Sequence, residues 1–303
     1  MPVIRGYVNG TTAGQPGPGS SPDQRSKRGR ITGWTAAAVR RHTRWLYAVD
    51  AEGLSSDGLV GVSLTLTLLR TPDTPEEWDA LRRAWIKAMQ RAGVVRLHWV
   101  VEWQARRVPH MHLALYFPPE HDAEAWAAIA IVAWLQRAGE KYGAGFRAQY
   151  WNVIDGPLGW LQYLSKHAAR GVAHYQRQGK PPGWETTGRL WGYIGDWPTV
   201  EPWTIDAEWA AFWRLRRVVR LWRLSDARSA LRAAQTPQEA RQARRRITFA
   251  RRMLKSNDRS SSRVRGISEW VPLEQLERIV EELQRQGFAI ATRDLLEHFP
   301  AAA

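Results

Sequence analysis

Two histidines one residue apart, His110 and His112, stand in the apolar run Pro109-His110-Met111-His112-Leu113-Ala114-Leu115. In an extended strand alternate side chains share a face, so the two imidazoles lie on one side about 7 Å apart, with Met111, Leu113 and Leu115 on the other. Such a pair can hold one divalent cation. A carboxylate, Glu102, precedes the pair by eight and ten residues, in the run Val94 to Gln104 that reads as the neighbouring strand of a hairpin. A register that sets Glu102 opposite His110 or His112 gathers all three on one face, whereas an odd shift sends the carboxylate to the other side. His98 shares the Glu102 face and is a weaker fourth donor. Half-buried histidines bonded to strand neighbours are the competing reading, and it accounts less well for the nearby carboxylate.

Two imidazoles and a carboxylate also suit non-haem iron or a cupin barrel. A cupin usually places its Glu a few residues after the His-x-His, where this chain has Tyr116, Phe117, Pro118 and Pro119. Here the carboxylate comes first. Mg²⁺ or Mn²⁺ acting on a phosphodiester fits better, because the charge of the chain points to a polyanionic partner.

A second constellation lies in Tyr163-Leu164-Ser165-Lys166-His167. On a helix, Tyr163, Lys166, His167 and Arg170 share one side. Lys166 would favour phenolate over phenol at Tyr163 and could hold a phosphate oxygen. An amphipathic helix with an interfacial Tyr and a Lys whose stem covers apolar surface is the plainer alternative.

The elements that must position these groups follow from pattern. Thr35 caps a helix running to about Val49 behind the apolar Trp34, and Val62 to Leu69 alternates as a half-buried strand with Ser63, Thr65 and Thr67 on one face. Thr74-Pro75-Glu76-Glu77 is a capping box that opens a helix to about Ala92. Val94 to Gln104 and Val108 to Phe117 form the hairpin, with Arg106 and Arg107 in its turn. His121 to Glu140 is helical, Phe146 to Ile154 extended, Pro157 opens a helix ending near Gly171, and Thr187 to Ile194 is a last strand. This order predicts an α+β fold: a central, mainly antiparallel sheet with helices on one face and the other free for a site.

The chain has 303 residues and no cysteine, which excludes disulfide scaffolds and thiolate metal sites. No apolar run is long enough to span a membrane, and the first residues, rich in Gly, Pro and Ser, lack the apolar core of a secretory leader, so a cytoplasmic protein is expected. The net charge is +15 with a pI near 10.8, the range in which nucleic acid is the first partner to consider. Most of that excess is regional. Residues 214 to 265 carry seventeen Arg or Lys against Asp226, Glu239 and Asp258, a local balance of +14. Residues 1 to 30 read as a flexible arm with the basic run Arg25 to Arg30, and 199 to 303 as a basic helical region that grips duplex DNA through Arg244, Arg245, Arg246, Arg251 and Arg252. Thr236 to Glu239 is a second capping box, and Leu273, Leu276, Ile279, Val280 and Leu283 mark an amphipathic helix, consistent with a small winged-helix-like module at 266 to 300. Eighteen Trp residues are the other departure from average composition; most are expected in the core, although a flat ring can also stack on a base.

Taken together, Ser63-Leu64-Thr65-Leu66-Thr67, then Glu102-Trp103-Gln104 leading into Pro109 to Leu115, then Tyr163 followed by Lys166, resemble the three motifs of rolling-circle replication initiators, the Rep branch of the HUH endonucleases. Gly188-Arg189-Leu190-Trp191-Gly192 is similar to a segment that follows the third motif in plasmid-type members, and the likeness covers roughly Thr35 to Gly195. The resemblance implies an endonuclease domain over 31 to 198, a Mg²⁺ or Mn²⁺ ion held by His110, His112 and Glu102, and Tyr163 as nucleophile with Lys166 and His167 beside it. Tyr163 would nick single-stranded or extruded hairpin origin DNA, keep the 5′ phosphate and later rejoin the strand. Thr65, Thr67, Arg106, Arg107 and Arg170 are then expected DNA contacts. Flanking duplex, a host helicase and a second copy of the chain are the implied partners, in a plasmid or phage setting. Some relatives carry a second Tyr four residues on, where this chain has His167, so the single-Tyr form is the closer analogy and Tyr175 the fallback. A single-Tyr transposase or a relaxase would use the same core, and a nucleic-acid-binding sheet without catalysis is the reading from another class.

Overall fold

A computed structural model of the chain describes residues 1–14, 29–154, 172, 174–255, 267–269 and 271–292. The chain divides into two compact units, Arg25–Thr199 and Met1–Gln24 together with Val200–Ala303. It opens with a hairpin, β1 (Val3–Tyr7) and β2 (Gly10–Gly14), that belongs to the second of these.

The unit Arg25–Thr199 is α+β, with the order α1 (Ala36–Ala48), α2 (Ala51–Ser56), β3 (Val60–Thr67), α3 (Pro75–Arg91), β4 (Arg96–Trp103), β5 (Pro109–Phe117), α4 (Ala123–Tyr142), β6 (Tyr150–Val153), α5 (Tyr175–Gln178) and β7 (Trp191–Ile194). Local chemistry starts the helices where the sequence predicts. Thr35 Oγ1 accepts from the Ala38 amide at 3.1 Å, and Thr74 Oγ1 accepts from Glu77 N at 3.2 Å ahead of Pro75. The predicted strand at Phe146 to Ile154 begins instead with a 3₁₀ turn, Phe146–Ala148, and pairs only from Tyr150.

The five strands make one antiparallel sheet in the order β6-β3-β5-β4-β7. Alternation places Leu64, Leu66, Met111, Leu113, Trp99 and Val101 on one face. Helix α3 covers that face, as the Arg82 guanidinium lies 5.3 Å from the Trp99 ring, and it packs with α4 through edge-to-face contacts of Trp78 and Trp85 with Trp134. The expectation of helices on one face needs one addition. Helix α1 lies on the opposite face, where His42 stacks on His98 and Trp45 on both His98 and Tyr193. At Gly192, which pairs with Trp99, a Cβ would stand 2.4 Å from the indole, so only glycine lets β7 close on β4 there.

The other unit corrects two expectations. Residues 3–14, read as part of a flexible arm, are the β1–β2 hairpin with a two-residue turn at Val8-Asn9, and β1 pairs with β8 (Trp203–Ala207), nearly two hundred residues further along the chain. The region from 199 onward, read as helical, contributes β8, β9 (Ile267–Glu269) and β10 (Ile290–Thr292) to a second antiparallel sheet, β10-β8-β1-β2-β9. The missed strands are short and their partners distant, so no local alternation marks them. The predicted basic helices are α6 (Trp209–Ala233) and α7 (Pro237–Lys255), which pack together and are joined through the second capping box: Thr236 Oγ1 accepts from Glu239 N at 3.2 Å, and Glu239 Oε2 from Gln235 N at 2.8 Å. Helix α8 (Leu273–Arg285) buries Leu276, Ile279, Val280 and Leu283 with Ile4, Ile205, Phe212 and Leu215 in one core. Gly6 admits it, since a Cβ would stand 2.6 Å from Leu276.

Candidate metal centre

The register decides the site. Glu102 pairs with His110 across β4 and β5, and His110 pairs with Thr67 across β5 and β3, so one row runs Glu102, His110, Thr67. The next row places His112 between Val100 and Thr65. The even shift therefore brings carboxylate and imidazoles to the same face, and a donor atom from each of Glu102, His110 and His112 lies within 4.8 Å of the others.

These donors fit a small hard cation. Two ligands on adjacent octahedral positions at about 2.1 Å stand about 3 Å apart, and His110 Nε2 and His112 Nε2 are separated by 2.9 Å. His112 Nε2 is 3.7 Å from Glu102 Oε2. The His112 ring is oriented from behind, since its Nδ1 lies 3.1 Å from Thr65 Oγ1, which turns Nε2 toward the other two candidate donors. All three residues are buried, and Glu102 is wholly so. A carboxylate at such depth needs a counter-charge.

Part of that counter-charge comes from Arg177 on α5, a residue sequence reasoning missed. Its Nε lies 3.6 Å from Glu102 Oε1, and neither side chain is exposed. The guanidinium also sits 4.4 Å from the Trp34 ring centroid. No motif marks Arg177: it is one Arg in a one-turn helix, 75 positions beyond its partner. Gln104 and Gln149 were missed as supports as well. Gln104 Nε2 donates to Thr67 Oγ1 at 2.8 Å, while Gln149 Oε1 accepts from Thr67 N at 2.8 Å and its Nε2 donates to Gly145 O.

The expected DNA contacts divide. Thr65 and Thr67, expected to contact DNA, engage their hydroxyls within the sheet, Thr65 with His112 and Thr67 by accepting from Gln104, and Thr67 is buried. Arg106 donates to Gln104 Oε1 at 2.8 Å and to the carbonyls of Leu68 and Leu69, tying the hairpin turn to the end of β3. Arg107 is exposed beside it with φ 65°. His98, read as a fourth donor, instead sets Nε2 3.1 Å from His42 Nε2 beneath Trp45, four residues along β4 from Glu102. Tyr175 is exposed at the start of α5 with its ring 4.7 Å from that of His174. Tyr163, Lys166, His167 and Arg170 lie outside the described residues.

In the other unit, Arg244, Arg245, Arg246, Arg251 and Arg252 are all exposed on α7. Arg241, Arg244, Arg245 and Arg252 line an open depression of about 940 Å³ with Thr248 and Phe249. Among the described residues no helix is long and apolar enough to cross a membrane.

Comparison with known proteins places these features in a family. Residues 61–175 match the family described as replication-associated protein ORF2/G2P. A protein of Xylella fastidiosa (strain 9a5c) named for replication is 42% identical over 302 residues, covering 96% of this chain and all of the relative. A second, from strain Temecula1, is 44% identical over 89% of this chain and 99% of its own length. The replication-associated protein G2P of Pseudomonas phage Pf3 is 38% identical over 93% of this chain and 96% of its own. No solved structure matches.

Proposed function

Because the chain belongs to the family of replication-associated proteins ORF2/G2P, we propose that it initiates rolling-circle replication by nicking and rejoining origin DNA through a tyrosine. The observation that carries this reading is the gathering of Glu102, His110 and His112 on one sheet face, next to the polar strand residues Thr65 and Thr67. Three donors of that type suit Mn²⁺ or Mg²⁺, which when bound polarises a phosphodiester and neutralises charge developing on its oxygens.

The chain's own residues supply the rest. The Tyr163 oxygen attacks phosphorus, its proton passing to a base, as the bond from phosphorus to the 3′ oxygen breaks. The strand leaves with a 3′ hydroxyl that can prime synthesis, and the 5′ phosphate stays on Tyr163. One phosphoester replaces another, so the bond energy is kept for rejoining. Lys166 would lower the proton affinity of the phenol and hold a non-bridging oxygen. Thr65 keeps His112 oriented, and Arg177 sets a positive charge 3.6 Å from Glu102. The Arg-rich α7 supplies affinity for flanking duplex by phosphate contact.

The test is incubation of the full chain with a labelled origin hairpin and Mn²⁺. Wild type is expected to yield a covalent protein–DNA adduct that chelation prevents, and Tyr163→Phe none. An adduct that survives in Tyr163→Phe but not in Tyr175→Phe moves the nucleophile to Tyr175. No adduct with Mn²⁺ leaves a DNA-binding protein without this chemistry.

A further inference from the structure

Trp is the apolar residue whose exposure most needs a reason, because its large ring is ordinarily mostly buried. Among the described residues, Trp209 and Trp213 are the tryptophans left broadly open, at 43% and 42% exposure. They are one turn apart on α6, with centroids 6.3 Å apart and planes 25° from parallel. Their mount is rigid: both meet Phe212 edge-on, at 5.7 Å and 5.0 Å, and Phe212 is locked in the core at 1% exposure. The stripe continues at the same helical spacing with the exposed Arg217, beside the exposed Arg214, and the Arg216 guanidinium lies 5.1 Å from the Trp213 ring. Two near-parallel indoles that run into a row of cations match a polyanion carrying flat faces.

We infer that Trp209 and Trp213 form a stacking platform for the unpaired bases of single-stranded DNA, with Arg214 and Arg217 meeting the backbone. The inference rests on the reading of the chain as a DNA-acting replication protein and adds a site separate from the metal centre. Charge complementarity selects the occupant, since an apolar protein partner would find this stripe flanked by the exposed, positively charged Arg214 and Arg217. Stacking needs an open base face, so the platform discriminates single strand from duplex. It is indifferent to sequence, because every base has such a face.

The test uses the full chain, an oligo-dT of about 20 nucleotides and a duplex of equal length, with affinity read by fluorescence anisotropy over a salt series. Trp209→Ala and Trp213→Ala are each expected to weaken oligo-dT binding by about 5- to 150-fold. The slope of log affinity against log salt stays unchanged, because no phosphate contact is lost. Duplex binding is also unchanged. Trp213→Phe keeps part of the affinity, whereas Trp213→Leu, apolar but without a flat face, does not. Alanine variants that fold as wild type and bind oligo-dT equally overturn the platform, as does equal loss on duplex, full retention by the Leu variant, or an effect confined to self-association. A wild type that binds neither DNA removes the DNA-acting reading itself, and the platform with it.

Discussion

Arg177 and Glu102 form an ion pair sealed from solvent: Nε lies 3.6 Å from Oε1 with neither side chain exposed, while the other carboxylate oxygen, Oε2, stands 3.7 Å from His112 Nε2. The carboxylate is thus divided between a fixed cation on one oxygen and the imidazole cluster on the other. Arg177 thus approaches one carboxylate oxygen, while the other faces His112.

Removing Arg177 therefore has two measurable effects. Arg177→Gln is expected to weaken Mn²⁺ binding about 10- to 100-fold by titration calorimetry, the range for groups that orient a metal ligand. It also lowers stability of the metal-free protein by about 3–5 kcal/mol in urea melts, because a buried carboxylate loses its counter-charge. Arg177→Lys restores part of the Mn²⁺ affinity. If the Gln variant binds Mn²⁺ like wild type, Arg177 has no part in shaping the site.

Thr65 tests the orientation of His112. Thr65→Val keeps the shape of the side chain and removes the hydroxyl 3.1 Å from His112 Nδ1, so Mn²⁺ affinity should fall about 10-fold or more with the fold intact. His112→Ala removes the ligand itself and should abolish high-affinity binding. Equal Mn²⁺ affinity in Thr65→Val and wild type would remove Thr65 from the supports of the site.

The arginines of α7 predict a salt signature. Each phosphate contact contributes about 0.9 to the slope of log affinity against log salt for duplex DNA. Changing Arg244, Arg245 and Arg252 to Gln together is expected to lower that slope by up to about 2.7. A slope untouched by the triple change would assign the phosphate contacts elsewhere.

Acid stability should report the surface cluster of Glu77, Lys141 and Tyr142. The Lys141 ammonium, 3.1 Å away, together with the Tyr142 hydroxyl and the Asp73 amide, holds the Glu77 carboxyl below its ordinary 4.5. A carboxyl depressed in the folded state contributes stability above its unfolded pKa and loses it as pH falls through the folded value. The gap in melting temperature between wild type and Glu77→Gln is therefore expected to be full above pH 4.5 and to close on acidification below it. A gap that persists in strong acid would deny the carboxylate this role.

Much of this protein is written locally. Two-residue alternation alone assigns His110 and His112 to one face and Met111 and Leu113 to the other, and the hydroxyls of Thr35 and Thr74 start α1 and α3 by bonding amides within three residues. The basic pair α6 and α7 is equally plain, because charge and capping need no distant partner. Pairing across the chain obeys different physics. Alternation states which side a residue faces but not which residue it opposes, so only the formed hairpin sets Glu102 against His110 and draws carboxylate and imidazoles together. Burial of that carboxylate in turn required a cation, and the chain brought Arg177 from a later helix to meet it. The opening residues, read as an arm, close into a hairpin over a two-residue turn, and the partner strand of β1, β8, begins nearly two hundred residues on. Backbone hydrogen bonding between such distant segments leaves no periodic mark in either, and only the closed tertiary structure decides it.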